Sequence, residues 1–325
     1  MNKPPQNLEP IRIFIGSSIN NLIEQKVYCY TLKQHTQHPI EFNIIDGLNG
    51  CVTNLTTQET KQLPADIHQF IPGATAFTLA RWAIPEWCDY KGKALYCDSD
   101  QLALADIAEL WNFDLEDSFC ALVPVKEAKC HPHYVRNFLQ NYLKAEDTYY
   151  FSSVMLMDCE KAAAWSLEKL VKLIRDRAFT LEDLMQLTAP FRDHFNIAVK
   201  TLPSEWNHLD VLYPNSKIVH FTNLSTQPWR YHHNAISELW DNLFLEAYDQ
   251  GAIAREDIAR ANQLGRLTTR HRVVSSLNQS VRSPINRLWR IPIGAVVLFF
   301  RFFTELLTDI YKGTRAQARK LVKGY

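Results

Sequence analysis

Short apolar runs that alternate with helix-like stretches constrain this chain more than any other feature. IRIFIG (11–16), IEFNII (40–45), KALYC (93–97), FCALVPV (119–125) and YYFSSVMLMD (149–158) have strand length and are mostly rich in β-branched or aromatic residues. NIAVKTLP and SKIVHF, ending at Pro203 and Phe221, complete the strand set. Residues 21–35, 75–87 and 105–111 read as helices, and 159–176 does so strongly by composition and apolar spacing. Strands alternating with helices predict an α/β domain around a largely parallel, twisted sheet. In such sheets ligands sit beyond the carboxyl ends of the strands. Asp98 and Asp100 leave KALYC at that end.

Bulk properties narrow the class. A chain of 325 residues suits one large domain or a domain with an appendage. Formal net charge is zero, which argues against a nucleic-acid partner. The charge is uneven, however. Residues 254–325 hold 14 Lys and Arg against 4 Asp and Glu, and the preceding part holds 21 against 31. Seven scattered cysteines without a CxxC pair point to reduced thiols rather than a disulfide frame or a zinc site. No secretory h-region precedes the first strand, so a cytoplasmic location is expected.

Two carboxylates one residue apart can hold a hard divalent cation such as Mg²⁺ or Mn²⁺, which often shares its shell with substrate phosphates. Aspartates in a turn need no such explanation, since Asp is common there. The neighbouring residues carry more information. LYCDSDQLALADIAELW (95–111) resembles the L-Y-x-D-x-D and D-I-x-E-L-W patterns of glycosyltransferase family 8 and its bacterial relatives. FTLARWAIPEW (77–87) is similar to that family's FARWxIP, YYFSSVMLMD to YFNSGVMLIN, and LPSEWNHLD (202–210) to LPxxWN. HFTNLSTQPW (220–229) resembles H-F-T-x-x-x-K-P-W, with one extra residue and Gln227 where a Lys is usual. The five matches occur in order over residues 11–229.

The resemblance implies a GT-A fold, the Rossmann-like fold of nucleotide-diphospho-sugar transferases, followed by a helical C-terminal extension. It implies retaining hexosyl transfer from a nucleotide sugar, UDP-linked in most relatives, with Mn²⁺ or Mg²⁺. Carried over by position, Asp98, Asp100 and His220 would hold the metal. Arg81 would grip donor oxygens with its planar fork. Gly16, Ser17 and Ser18 fall where the family holds the base and ribose, although many relatives have an Asp there. Ser99, Ser152 and Ser153 would line the donor site. LEDLMQ matches the family's D-Q-D-x-L-N window, so Glu182 and Asp183 become the catalytic candidates, Glu182 as nucleophile or electrostatic stabiliser. Its ordinary alternative is a first-turn acid on a helix that starts near Thr180. Glu205 is a further acid near the expected sugar site.

The domain plan expected is a catalytic domain over 1–230, a helical extension over 231–272, and a basic linker with an amphipathic C-terminal helix over 273–325. In PIGAVVLFFRFFTELLTDIY the charges Arg301, Glu305 and Asp309 are four apart and form one polar stripe. Broad apolar bulk with a basic end is the pattern of an interfacial helix on anionic lipid. Helix packing on another protein surface is its alternative. The expected partners are therefore a nucleotide sugar, a glycan or lipid-linked acceptor, and an anionic membrane surface. The rivals are a nucleotidyltransferase, disfavoured by the Gly-poor GSSINN turn, and a catalytically degenerate scaffold with the same fold.

Overall fold

The structure, a computed structural model, describes residues 9–63, 76–132, 139–231 and 234–277. Its strands are β1 (Ile11–Ser17), β2 (Ile40–Asp46), β3 (Cys51–Asn54), β4 (Thr60–Gln62), β5 (Lys93–Asp98), β6 (Gln101–Ala103), β7 (Cys120–Pro124), β8 (Tyr150–Asp158), β9 (Val199–Thr201), β10 (His208–Leu209) and β11 (Ile218–His220). The helices are α1 (Leu22–His35), α2 (Ala76–Ala80), α3 (Ile84–Trp87), α4 (Ile107–Trp111), α5 (Gln140–Lys144), α6 (Leu167–Arg175), α7 (Leu181–Gln186), α8 (Ala189–Phe195), α9 (Ser237–Asp249), α10 (Arg255–Gln263) and α11 (Thr269–Ser275).

The main sheet runs β4-β3-β2-β1-β5-β8-β7-β9, and a small second sheet runs β10-β11-β6. The α/β class holds, but the main sheet is mixed rather than largely parallel. β1 pairs parallel with β2 and β5, and β7 with β9. β8 inserts antiparallel between β5 and β7. On the other side, β2, β3 and β4 form an antiparallel meander. The β3–β4 hairpin escaped the sequence reading because CVTN and TKQ are short and polar. Its turn is made by Asn54, whose side chain accepts from the backbone N–H of Thr56 and Thr57.

The long helix expected over 159–176 is shorter. Trp165 is drawn into the core, and Ser166 in extended conformation caps α6 by accepting from the Lys169 N–H. Burial of one indole overrides the helix propensity of the preceding alanines. The helix expected over 75–87 is broken at Arg81–Ala83 into a tighter turn, with Pro85 in the first turn of α3. All seven cysteines are free.

The core has three compartments. Alternate residues of β5 and β8 face opposite ways: Ala94, Tyr96, Met155 and Met157 enter one cluster, and Leu95, Cys97, Val154 and Leu156 the other. α1 is apolar on two sides. Tyr28 and Leu32 close the sheet, while Ile23, Val27 and Tyr30 join a third cluster with Phe221, Trp229, Trp240 and Phe244. α9 and α10 therefore lie directly on α1 and the small sheet. Buried Asp241 of α9 accepts hydrogen bonds from Arg270 and His271 of α11, and Thr268 Oγ1 shares a 2.7 Å bond with His271 Nδ1. No helix among the described residues is long and apolar enough to cross a membrane. The amphipathic C-terminal helix expected within 273–325 lies outside the described residues, which end at 277.

Asp241 neutralises a guanidinium that is itself almost completely enclosed. Asp241→Ala should therefore cost about 3–5 kcal/mol by removing the carboxylate that neutralises buried Arg270. Lys26→Ala, which removes the half-exposed Lys26–Asp257 pair, should cost less than about 1 kcal/mol. Denaturant unfolding of both variants checks the contrast.

Candidate active site

β5 ends at Asp98, the chain turns through Ser99 and Asp100, and Gln101 opens β6 in the other sheet. The acid pair thus occupies the corner where the backbone passes between sheets. β6 pairs antiparallel with β11, placing His220 opposite Gln101, and the Phe221 N–H donates to the Asp100 carbonyl at 2.9 Å. His220 Nε2 comes to 3.0 Å from Asp100 Oδ1 and 3.9 Å from Asp98 Oδ2. One ligand atom from each of the three residues lies within 4.8 Å of the others.

Each group is held from behind. The Tyr96 hydroxyl donates to Asp98 Oδ1 at 2.5 Å, and Arg81 Nη2 reaches the same oxygen at 3.4 Å. The guanidinium lies over the Tyr96 ring, 4.4 Å from its centroid, while Nη1 donates to the carbonyl and hydroxyl oxygens of Ser152. Arg81 is buried, not a solvated helix arginine, and its Nε has no partner. Gly16 sits beside Asp98 on β1, and a methyl group there would run into the Tyr96 hydroxyl. Asn207, fully buried, donates from Nδ2 to Ser153 Oγ and offers Oδ1 to His220 Nδ1 at 3.2 Å. An amide oxygen only accepts, so Nδ1 carries the proton and Nε2 is turned to the acids. Gln227 donates to Asp100 Oδ2 at 3.3 Å and to the Phe221 carbonyl at 3.2 Å.

The electrostatics follow. Burial pushes the Asp98 carboxyl above its usual range, and Arg81 and His220 only partly offset this. Burial alone would lower His220, but the charges of Asp100 and Asp98 outweigh it and raise the imidazole above its ordinary value.

A cavity of about 310 Å³ opens onto Arg81, Asp98, Ser152, Ser153, His220 and Gln186, among others. Ser17 is buried at the end of β1, and Ser18 accepts from the Asn20 N–H and donates to Asn21, capping the turn into α1. Ser99 is buried in the acid-pair turn. Glu182 and Asp183 are not among the lining residues. Glu182 is exposed on the first turn of α7, near Tyr142, which does line the cavity. Asp183 closes a capping box, accepting from the Thr180 N–H at 2.8 Å and from the Thr180 and Thr188 hydroxyls. Glu205 does not line the cavity either.

Four residues at or near the site were not singled out from sequence. Tyr96 read as one more apolar strand residue. Asn207 and Asp210 stood inside LPSEWNHLD without a role. Gln186, whose Oε1 is buried without a partner, sits at the end of LEDLMQ. Asp210 is buried, accepts from Thr222 and the Asn223 N–H, and leaves Oδ1 unpartnered.

The family model described as glycosyl transferase family 8 matches residues 12–233, a span that contains every residue of this site. The chain belongs to glycosyl transferase family 8. It is a glycosyltransferase, and the nucleotidyltransferase rival falls with that assignment. Among solved structures the chain is similar to the galactosyltransferase LgtC in complex with donor and acceptor sugar analogs. The TM-score is 0.53 and the identity 16%, covering 77% of this chain and 100% of that one. It is also similar to WbbM, a bifunctional glycosyltransferase, with a TM-score of 0.50 and 14% identity over 74% of this chain and 50% of that one. At these identities the likeness is one of fold, and the fold is the GT-A fold of family 8. Among curated proteins, Protein CDI of Arabidopsis thaliana is 29% identical over 125 residues, 38% of this chain. The match spans 44% of that relative's length.

Asp183 gives a clean test of the cap. Burial raises its carboxyl, but the bonds from Thr180 and Thr188 outweigh this, so its folded pKa lies below the usual value. A depressed folded pKa contributes stability that is present at neutral pH and lost as pH falls through that depressed value. Asp183→Ala should cost about 0.5–2 kcal/mol. The deficit should shrink in acid, and turnover per folded molecule should stay unchanged. Thermal melts over a pH series, with an activity assay, check both parts.

Proposed function

We propose that this family 8 member is a metal-dependent retaining glycosyltransferase. It would use a UDP-sugar with Mn²⁺ or Mg²⁺ and act on a glycan or lipid-linked acceptor at the cytoplasmic face of a membrane. The observation that carries the reading is the meeting of Asp98, Asp100 and His220 ligand atoms within 4.8 Å at the sheet corner. Two carboxylate oxygens and a neutral imidazole nitrogen suit Mn²⁺ somewhat better than Mg²⁺. A bound cation would offset the negative charge that gathers on the departing nucleoside diphosphate.

The protein's own groups have separable tasks. Arg81 holds Asp98 and keeps its Nε for a donor oxygen. Asn207 fixes the His220 tautomer, and Gln227 orients Asp100. Ser152 and Ser153 face the cavity while anchoring Arg81 and Asn207, and Ser17 and Ser18 shape the turn beside it. Asp98 is the one carboxylate among the described residues that line the cavity. With neither Glu182 nor Asp183 lining the cavity, same-face attack at the anomeric carbon is the retaining route this constellation favours over a carboxylate-bound intermediate. The membrane part rests on the apolar and basic composition of 278–325. One observation favours a second reading, a degenerate scaffold: neither acid of the LEDLMQ window lines the cavity, and Asp183 closes a helix cap.

The deciding experiment offers purified protein and Mn²⁺ a panel of UDP-, GDP- and ADP-sugars without acceptor. Slow nucleoside diphosphate release from one donor is expected, lost with EDTA and in Asp98→Asn. Metal-dependent UDP binding without release would point to a missing acceptor. No binding of any nucleotide would overturn the reading and leave the scaffold. Because His220 must shed its proton to act as a ligand, cation uptake should release protons, and affinity should rise with pH. Tyr96→Phe should weaken Mn²⁺ binding about 10- to 100-fold while the fold persists. Gly16→Ala should do the same by displacing the Tyr96 hydroxyl. Calorimetric titration with Mn²⁺ reads both.

A further inference from the structure

The helices that follow the catalytic sheet hold a cavity of their own, of about 440 Å³, lined from α10 and the end of α11 together with Tyr248 of α9. It shares no lining residue with the cavity at Asp98. On α10 the lining recurs at helical spacing: Arg255, then Ile258 and Ala259, then Asn262 and Gln263. Arg272 faces it from α11. The charge of this lining is one-sided, with two arginines and no carboxylate.

Other arginines of this protein are neutralised by acids. Arg81 meets Asp98, Arg192 meets Asp147 and Arg270 meets Asp241. Arg255 and Arg272 bond neutral groups on neighbouring helices instead. Arg255 Nε donates to the Tyr248 hydroxyl at 3.3 Å, and Arg272 Nη1 to Asn262 Oδ1 at 3.4 Å. Both guanidinium groups are thus tethered across helices with their charge unspent. With its oxygen occupied, Asn262 presents its N–H groups. Ser275 and Ser276, also in the lining, donate their hydroxyl protons to the Arg272 and Val273 carbonyls. The donors left for a ligand are therefore guanidinium and amide. Ile258, buried in the third core cluster, and Ala259 supply an apolar wall.

A planar guanidinium fork matches the oxygens of a phosphate or carboxylate. Two forks with no acid beside them suit an anion that carries more than one oxygen to each, and an apolar wall suits a carbon body attached to it. A phosphate ester has both parts. We propose that this groove binds a phosphate ester, with Arg255 and Arg272 on the phosphate oxygens, the Asn262 and Gln263 amides beside them, and Ile258 and Ala259 against the esterified carbon body. Two sources share this chemistry, a phospholipid headgroup and a soluble phosphate ester. The lipid source rests on the membrane reading of residues 278–325, which follow directly on the last described residue, Leu277. The phosphate chemistry does not rest on it. Because both arginines are exposed, affinity should fall as salt rises.

The test treats the native full chain with phenylglyoxal, which adds to guanidinium groups, in metal-free buffer, and maps the adducts by mass spectrometry. Glycerol phosphate should slow modification of Arg255 and Arg272 about ten-fold, while Arg260, exposed on the same helix, reacts at its unprotected rate. Phosphatidylcholine vesicles carrying phosphatidylglycerol form the second arm. Selective protection by these vesicles at phosphate concentrations where glycerol phosphate is ineffective assigns the phosphate to a headgroup. Protection by glycerol phosphate at least as strong as by vesicles assigns it to a soluble ester. Equal reaction of Arg255 and Arg272 with and without both ligands overturns the proposal, and so does protection of Arg260 to the same degree. Calorimetric titration supplies an independent readout. Arg255→Gln with Arg272→Gln should lower affinity for the protecting ligand about ten-fold or more, and unchanged affinity would also overturn the site. Asp98→Asn should bind that ligand as the native chain does, so failure of the donor site and failure of this groove are read apart.

Discussion

Asp98 ends a strand whose preceding residues, Ala94 to Cys97, are closed off from water on both faces, and an ionised carboxylate in such a place must be supported by fixed partners. Its supports come from remote parts of the chain. Tyr96, two residues back on the same face, donates its hydroxyl. Arg81 supplies charge and stacks on that same ring. Ser152 of β8 holds Arg81 in turn. The arrangement fits only because β1 places a glycine against the ring at the pairing position of Asp98. Four positions, Gly16, Arg81, Tyr96 and Ser152, are thereby tied to one oxygen, and the sheet order β1-β5-β8 helps to bring them there.

The second sheet sets the third residue of the cluster. His220 is the last residue of β11, and its ring is fixed through Asn207 to Ser153 on β8. A fully enclosed amide with both ends satisfied is a stiff connector. Behind β11, Val219 and Phe221 point into the cluster built by Trp229, Trp240 and Phe244. Trp229 meets Phe221 edge-on at 5.7 Å and Trp240 at 5.4 Å. The aromatic end of HFTNLSTQPW is thus the joint between the histidine strand and the helical extension. α9 to α11 lie against the site's framework rather than hanging from it.

The α/β class and the meeting of Asp98, Asp100 and His220 were legible because strand-length apolar runs and an ordered set of short motifs each state one local fact. What was not legible depended on tertiary packing. The sheet's mixed sense arises from β8 returning between two neighbours, which no local pattern records. The helix over 159–176 failed because Trp165 gains more from the core than from another helical turn. Glu182 and Asp183 were placed by matching LEDLMQ to the family's D-Q-D-x-L-N window. A threonine before and an aspartate three residues on is equally a capping box, and that is where Asp183 went. Gly16 was read as part of a nucleotide grip; its steric fit against the Tyr96 hydroxyl was not legible. Gln227 departs from the usual lysine, yet it remains attached to Asp100 as a neutral donor.

That substitution bears on how charge is balanced under the proposed reading. A protonated His220 and Arg81 together offset the charges of Asp98 and Asp100, while buried Asp210, which also acts on His220 and Asp100, adds a further acid beside them. When a divalent ion enters and His220 gives up its proton, the same four residues and the ion carry one net positive charge. A lysine at 227 would add another in both states, and it would compete with the ion for Asp100. Under that reading, the neutral glutamine leaves Asp100 to the ion, and the attraction for a diphosphate grows once the cation has bound. Electrostatics alone would then favour loading the ion before the nucleotide.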